Sequence, residues 1–210
     1  FVGATGAGKS SILNLIGRYY DIQEGHIYID DVDIKDLSIK QLRSAIGQMQ
    51  QDVFIFEGDV KRNITLFDDI DIDTVKKASE YVNANRFIGK LEHQYDEQVT
   101  ERGTSFSAGE RQLLSFARTL AHDPKILVMD EATANIDTET EILIQEALEK
   151  LMENRTTIMV AHRLSTIQHA DTIMVMHKGR IRERGNHQEL LKQDGIYKRL
   201  YELQIHKEID

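Results

Sequence analysis

Apolar and polar positions change their period several times along the chain, and each change marks an element. An apolar dipeptide, Phe1-Val2, leads into a polar, glycine-rich stretch, and a helix is predicted from Lys9 to about Tyr20. Short strands are expected over His26 to Asp30, before a turn around Asp31 and Asp33, and over Ile46 to Met49. From about Asp59 to Lys90 the pattern turns helical: Asp71 or Asp73 can cap a segment through Tyr81, and Asn85 can start another. Ser107 caps a helix running to about His122, Asp123-Pro124 breaks it, and the unbroken apolar run Ile126 to Met129 is that of a buried parallel strand. Helix Thr138 to Met152, strand Thr156 to Val160 and strand Thr172 to Met176 follow in alternation. A Lys178-Gly179 turn leads into Arg180 to Glu183, and two amphipathic helices, about His187 to Gln193 and Ile196 to His206, close the chain. Strands separated by helices imply an α/β fold with a mainly parallel sheet covered on both faces. Residues 53–122 read approximately as an inserted helical subdomain, with 1–52 and 123–210 forming the core of one domain.

Composition narrows the class. The 210 residues are 40% hydrophobic, enough for a core, and no apolar run approaches the ~18 residues that a membrane span needs. The absence of cysteine excludes disulfides and thiolate metal sites. A formal charge of −9 argues against a generic nucleic-acid partner. The chain opens without Met on an apolar dipeptide, where a full strand is expected to feed the glycine-rich stretch, so the polypeptide is expected to extend upstream and the first strands of the fold to be missing. Loss of most of a central strand forfeits several buried side chains at about 1.5 to 3 kcal/mol each, a cost comparable with a domain's net stability.

Gly3 to Ser10, GATGAGKS, fits the phosphate-binding pattern GxxxxGK[ST]. Gly3, Gly6 and Gly8 let the backbone fold around a phosphate chain with its N–H groups inward, in company with Ala4, Thr5, Ala7 and Ser11 in the first turn of the helix. The helix beginning near Lys9 adds the positive end of its dipole, Lys9 reaches the β- and γ-phosphates, and the Ser10 hydroxyl ligates Mg²⁺. A glycine-rich turn before a helix is the bland alternative.

Further along, ILVMDE places Asp130 and Glu131 at the C-terminal end of a buried strand, where open parallel sheets bind ligands. Asp130 would hold Mg²⁺ through water and Glu131 would face the γ-phosphate; the structural alternative is that the two simply cap the next segment. Between these motifs lies FSAGERQ, Phe106 to Gln112, directly before a helix.

This last segment resembles the LSGGQ signature of ABC-type ATPases. The other marks of that family appear in order: Gln51 after the Ile46 strand, the D-loop ATANID ending at Asp137, the switch His162 in VAHRLST, and ERG, Glu101 to Gly103, which resembles the X-loop of exporters. The resemblance covers essentially the whole chain and is strongest to the nucleotide-binding domain of a bacterial multidrug or lipid exporter half-transporter. It implies a P-loop NTPase core and ATP with Mg²⁺. It also implies a head-to-tail dimer in which each ATP lies between one domain's Gly3–Ser10 loop and the signature Ser107, Ala108, Gly109 and Glu110 of the other. Glu131 would act as general base or water orienter, His162 would touch the γ-phosphate, Lys9 would neutralise charge, and Gln51 would sense metal and water. A transmembrane domain upstream, and a place on the cytoplasmic face of the membrane, follow from the same resemblance. The competing functions are a soluble ABC ATPase of DNA repair or translation, and a non-hydrolysing ATP-binding module.

Two positions depart from the family pattern. Ala108 stands where Gly is usual and Glu110 where Gln is usual. At ~6 Å and an effective dielectric of ~20, one phosphate charge would repel Glu110 by roughly 3 kcal/mol before screening. A heterodimer with one strong and one degenerate site is therefore expected, a homodimer with a benign variant being the alternative. Tyr19 and Tyr20 read as helix packing or coupling surface, and Phe54, Ile55 and Phe56 as coupling interface or buried loop. Asp69, Asp71, Asp73 and Glu80 echo a calcium-loop spacing, but Thr74 stands where that loop needs Gly.

Overall fold

The computed structural model describes residues 1–50, 53–100, 103, 105–130, 138–161 and 167–209. They fall into two compact units: residues 1–39, 129–132 and 158–210 in the first, and 40–128 with 133–157 in the second.

In the first unit, helix α1 (Lys9–Ile16) follows the glycine-rich loop. It ends earlier than its sequence suggests. Gly17 is the C-cap, and Arg18 turns to φ 50°, where its guanidinium donates to the Ile34 and Leu37 carbonyls at 3.1 and 2.9 Å. Those bonds divert the chain before Tyr19 and Tyr20, which stand exposed. The expected strand from His26 shrinks to β1 (Tyr28–Ile29), paired antiparallel with β2 (Val32–Asp33). Asp30 and Asp31, both at positive φ, form the tight turn between them.

At the other end of this unit, β8 (Ile173–His177) and β9 (Arg180–Gly185) make an antiparallel hairpin, and Val2 forms a parallel bridge to Val175. Val2, Ala161, Ile167, Ile173, Val175, Leu190 and Tyr197 are buried together as one core. Helix α8 (His187–Lys192) is closed by a capping box between Asn186 and Glu189. Helix α9 (Ile196–Ile209) runs past its expected end at His206 and is started by Glu183, whose carboxylate accepts from the Ile196 and Tyr197 amides. Gly195 makes room for that carboxylate, since a β-carbon there would lie 2.3 Å from Glu183 Oε1.

The second unit is dominated by α6 (Ala108–Ala121), whose buried Leu113, Leu114, Phe116 and Ala117 pack among α3 (Val60–Thr65), α4 (Ile72–Tyr81) and α7 (Thr138–Met152). Helix α7 contributes Ile144, Ala147, Leu148 and Leu151, the spacing of one helical face. Asp71 caps α4 by accepting from the Thr74 amide at 2.9 Å, so that stretch starts a helix rather than a calcium loop. Helix α2 (Ile39–Ala45), α5 (Asn85–Ile88), a 3₁₀ turn (Gln94–Asp96), and the short antiparallel pair β4 (Gly58–Asp59) and β5 (Gln98–Val99) complete it. Strands β3 (Ile46–Met49), β6 (Ile126–Asp130) and β7 (Thr156–Val160) form a sheet in the order β3-β6-β7. Joining the neighbours β6 and β7 through α7 is the βαβ arrangement expected from the alternation of elements.

Candidate functional site

The glycine-rich loop takes up the shape its composition allows. Gly3, Gly6 and Gly8 sit at φ 149°, 77° and 100°, in the region that side-chain-bearing residues rarely adopt. Gly3 is required sterically as well, because a β-carbon there would lie 2.3 Å from the Met176 carbonyl oxygen. Gly8 is the N-cap of α1 and supplies no side-chain bond, so the helix offers its first amides to an external anion. Ala7 is buried and its amide donates to Ala4 O at 3.1 Å, while Ala4, Thr5, Gly6, Ser10 and Ser11 are exposed.

Lys9 is buried, and its ammonium donates to the carbonyls of Gly3 at 2.7 Å and Ala4 at 3.2 Å. The lysine thus folds over the mouth of the loop. Burial lowers its pKa below the ordinary lysine value, and the Asp130 carboxylate opposes that shift by favouring the charged form. A phosphate chain would supply better acceptors than the two carbonyls.

Ser10, the last residue of the motif, donates its hydroxyl to Asp130 Oδ2 at 2.8 Å. Two groups 120 positions apart are thereby brought together at the end of β6. Both are hard oxygen donors, the set that Mg²⁺ prefers when it binds through one carboxylate, a hydroxyl, substrate phosphates and retained water. The residues present fit that ion. Glu131, His162, Gln51 and Asp137 lie outside the described residues, as do Glu101 and Arg102.

The signature lies in the second unit. Ser107 is the N-cap of α6: its hydroxyl accepts from the Glu110 amide at 3.1 Å, and the Glu110 carboxylate accepts from the Ser107 amide at 2.8 Å. Glu110 is therefore folded back onto the helix start, where the partial positive charge of the helix favours it. Ala108 is exposed at the first helical position and Gly109 is buried. Upstream, Phe106 is buried edge-on against Phe87 with ring centres 5.6 Å apart, and its carbonyl accepts from Arg111 Nη1 at 2.5 Å. Gly103, at φ 57°, faces the Ile55 side chain so closely that a β-carbon would approach it to 3.0 Å.

A second construction in this unit is not evident from the sequence. Arg118 donates from Nε to Asn63 O at 2.8 Å and from both terminal nitrogens to Phe54 O at 3.2 Å, and it lies 5.8 Å from the Phe56 ring centre. Asn63 meanwhile accepts from the Phe56 amide at 2.8 Å and donates to Phe56 O at 2.9 Å. Burial brings the Arg118 pKa down to about 10. The effect is to hold Phe54 and Phe56 outward, 47% and 40% exposed, as an edge-to-face pair, with Ile55 between them fully buried. Phe54 and Phe56 are exposed while Ile55 is buried, so the segment is not buried as a whole.

Residues 1–134 match the family model described as ABC transporter. The chain belongs to the ABC transporter family. It is 50% identical, over 97% of its length, to a Bacillus subtilis protein named "Probable multidrug resistance ABC transporter ATP-binding/permease protein YheH", of which it covers 30%. It is also 50% identical, over its full length, to the uncharacterised ABC transporter ATP-binding protein YknV of B. subtilis, of which it covers 35%. A solved structure of a bacterial Atm1-family ABC exporter with ATP bound matches 97% of this chain and 36% of that one, at 42% identity and a TM-score of 0.88. The chain thus spans about a third of the length of these relatives. Its fold is the ABC ATPase form of the P-loop α/β fold, and it is an ATPase domain of that family.

Proposed function

We propose that this ATPase domain powers substrate export across a membrane, with ATP bound at Gly3 to Ser10 and cleaved there. The observation that carries the reading is the meeting of Lys9, Ser10 and Asp130 around the glycine loop. Such a set neutralises and orients a triphosphate. The names of the exporter relatives, among them a multidrug resistance ATP-binding/permease protein, support the export step and a transmembrane domain in the same assembly. The domain then works at the cytoplasmic face of the membrane.

In this reading the loop amides and Lys9 hold the β- and γ-phosphates, and Glu131 takes the proton of the attacking water or orients it in line with the γ-phosphorus. His162 contacts the γ-phosphate, and Gln51 positions the water. Ser10, Gln51 and Asp130 would hold Mg²⁺, which would neutralise charge on the phosphates. A second ABC ATPase domain closes the site with its signature, as Ser107, Ala108, Gly109 and Glu110 of this chain close the reciprocal one, and Asp137 lies in the D-loop between them. Because Ala108 and Glu110 alter the signature while the phosphate loop keeps its pattern, the partner is a different chain, and the site completed by this signature is the weaker of the two. The outward pair Phe54 and Phe56 receives the transmembrane domain. No nucleic-acid partner enters this reading.

Phosphate release by the purified intact transporter tests it. Glu131→Gln is expected to keep ATP binding and to cut hydrolysis by about 10²-fold or more. Near wild-type turnover would overturn the assignment of Glu131.

A further inference from the structure

The β8–β9 hairpin touches the phosphate loop at both of its ends. At the entry, Val2 donates to Met174 O at 3.0 Å and Met176 donates to Val2 O at 2.8 Å, and Gly3 then passes directly against the Met176 carbonyl. At the exit, the Gly179 amide donates to Ala7 O at 3.0 Å, and a β-carbon on Gly8 would lie 3.7 Å from Gly179 Cα. Lys178 and Gly179, at φ 51° and 72°, are the two central residues between the paired His177 and Arg180, which is the positive-φ requirement of a two-residue hairpin turn whose twist matches its strands. The turn is therefore a fixed object, and it places one N–H on one carbonyl of the loop.

Planarity gives that bond its consequence. In a trans peptide the C=O and the following N–H point in opposite directions. Anchoring the Ala7 carbonyl on the hairpin turns the Gly8 N–H away from the hairpin. Gly8, at φ 100° and without a side-chain cap, has little else to hold that peptide plane, since glycine admits the flipped orientation at small cost.

We propose that Gly179 is a positioning residue for nucleotide binding: its amide locks the Ala7–Gly8 peptide so that the Gly8 N–H faces the phosphate chain. Gly179 acts through its bond to the Ala7 carbonyl. The proposal rests on the assignment of Gly3 to Ser10 as the nucleotide cradle. A β-carbon at 179 would meet no atom within 4 Å, so the first effect of a substitution there is on backbone conformation at φ 72°.

The test compares Gly179→Val with Gly179→Asn in the intact, assembled transporter. Valine resists positive φ and asparagine tolerates it, so only the first should move the amide off Ala7. Steady-state ATPase, binding of MgATP and of AMP, and the unfolding midpoint without nucleotide are measured for each. Gly179→Val is expected to raise KM for ATP about tenfold and to weaken MgATP binding by a similar factor, the scale of one lost hydrogen bond to a charged group. AMP binding and kcat should stay within about twofold, and Gly179→Asn should remain within twofold of wild type throughout. Unchanged KM in Gly179→Val overturns the proposal, as do equal losses in both variants, or a lower kcat at constant KM, the mark of lost folded protein. Lys9→Ala serves as the control for the underlying assignment. If it binds ATP like wild type, the cradle itself is misassigned; if it fails to bind while Gly179→Val is silent, only the role of Gly179 falls.

Discussion

A methyl group at position 3 would have to displace the backbone carbonyl of Met176, only 2.3 Å from where its carbon would sit, at a φ of 149° that alanine disfavours. Gly3→Ala is therefore expected to abolish nucleotide binding by the intact transporter while Gly25→Ala, on a turn where a β-carbon meets nothing, leaves binding intact; equilibrium ATP titration checks both. Gly47 carries a different constraint, since its β-carbon would meet Pro124 at 2.6 Å and Thr119 at 2.8 Å. Gly47→Ala should cost about 1 to 3 kcal/mol of stability, the usual penalty of overpacking, read as a lower denaturation midpoint. Tyr197 ties the last helix to the rest through its hydroxyl, 2.6 Å from His187 Nδ1, and its burial, with Tyr201 adding to it, pushes its pKa up to about 12. An unfolded tyrosine ionises near pH 10, so between about 10 and 12 the unfolded state sheds its proton first. That contribution is complete below pH 10 and falls away as pH rises to 12, by roughly 3 kcal/mol in all. Tyr197→Phe should flatten alkaline unfolding over that window, as followed by far-UV circular dichroism against pH.

Helix starts divide into those whose first amides are satisfied by a capping side chain and those, α1 and α5 among them, that lack one. Helices α6 and α8 carry capping boxes and α4 a capping aspartate, each satisfying its own first amides. Helix α1, which follows the cradle, has no such side chain. Asp71→Ala should therefore cost about 1 kcal/mol of stability with no change in KM for ATP. These caps are also why so much of the fold was legible in advance. Asp71 before α4, Ser107 before α6 and the unbroken run of β6 announce themselves locally, and α7 and β7 occupy the residues their pattern predicts. Helices α2 and α3 and the true end of α1 were not resolved as separate elements. The end of α1 depends on distant partners, with Arg18 reaching Ile34 and Leu37, and α3 is braced from afar by Arg118 on the Asn63 carbonyl. In the candidate site the motif residues were visible as types at fixed spacings, whereas the supports were not. Nothing in Lys178-Gly179 beyond a turn signal says that it bonds to Ala7.

At the scale of the whole molecule, the chain spans about a third of the length of its relatives, and in the proposed reading its chemistry is completed by a second ATPase domain. Ala108 stands at the first turn of α6 and the Glu110 charge is folded onto its start; under the proposed pairing of unlike domains, this altered signature completes the weaker site. Full-length protein purified alone is expected to hydrolyse ATP far more slowly than the co-purified pair, in a coupled phosphate assay; equal rates would favour identical partners. The most direct measurement is a cross-link across the closed site. The chain contains no cysteine, so Ser10→Cys can be combined with a cysteine at the signature serine of the second domain in the assembled transporter. If a triphosphate held at one domain's cradle is enclosed by the other's helix start, the two cysteines join across the domains and ATP protects them. Failure to join, with or without ATP, in a double-cysteine transporter that assembles like the wild type would contradict the account.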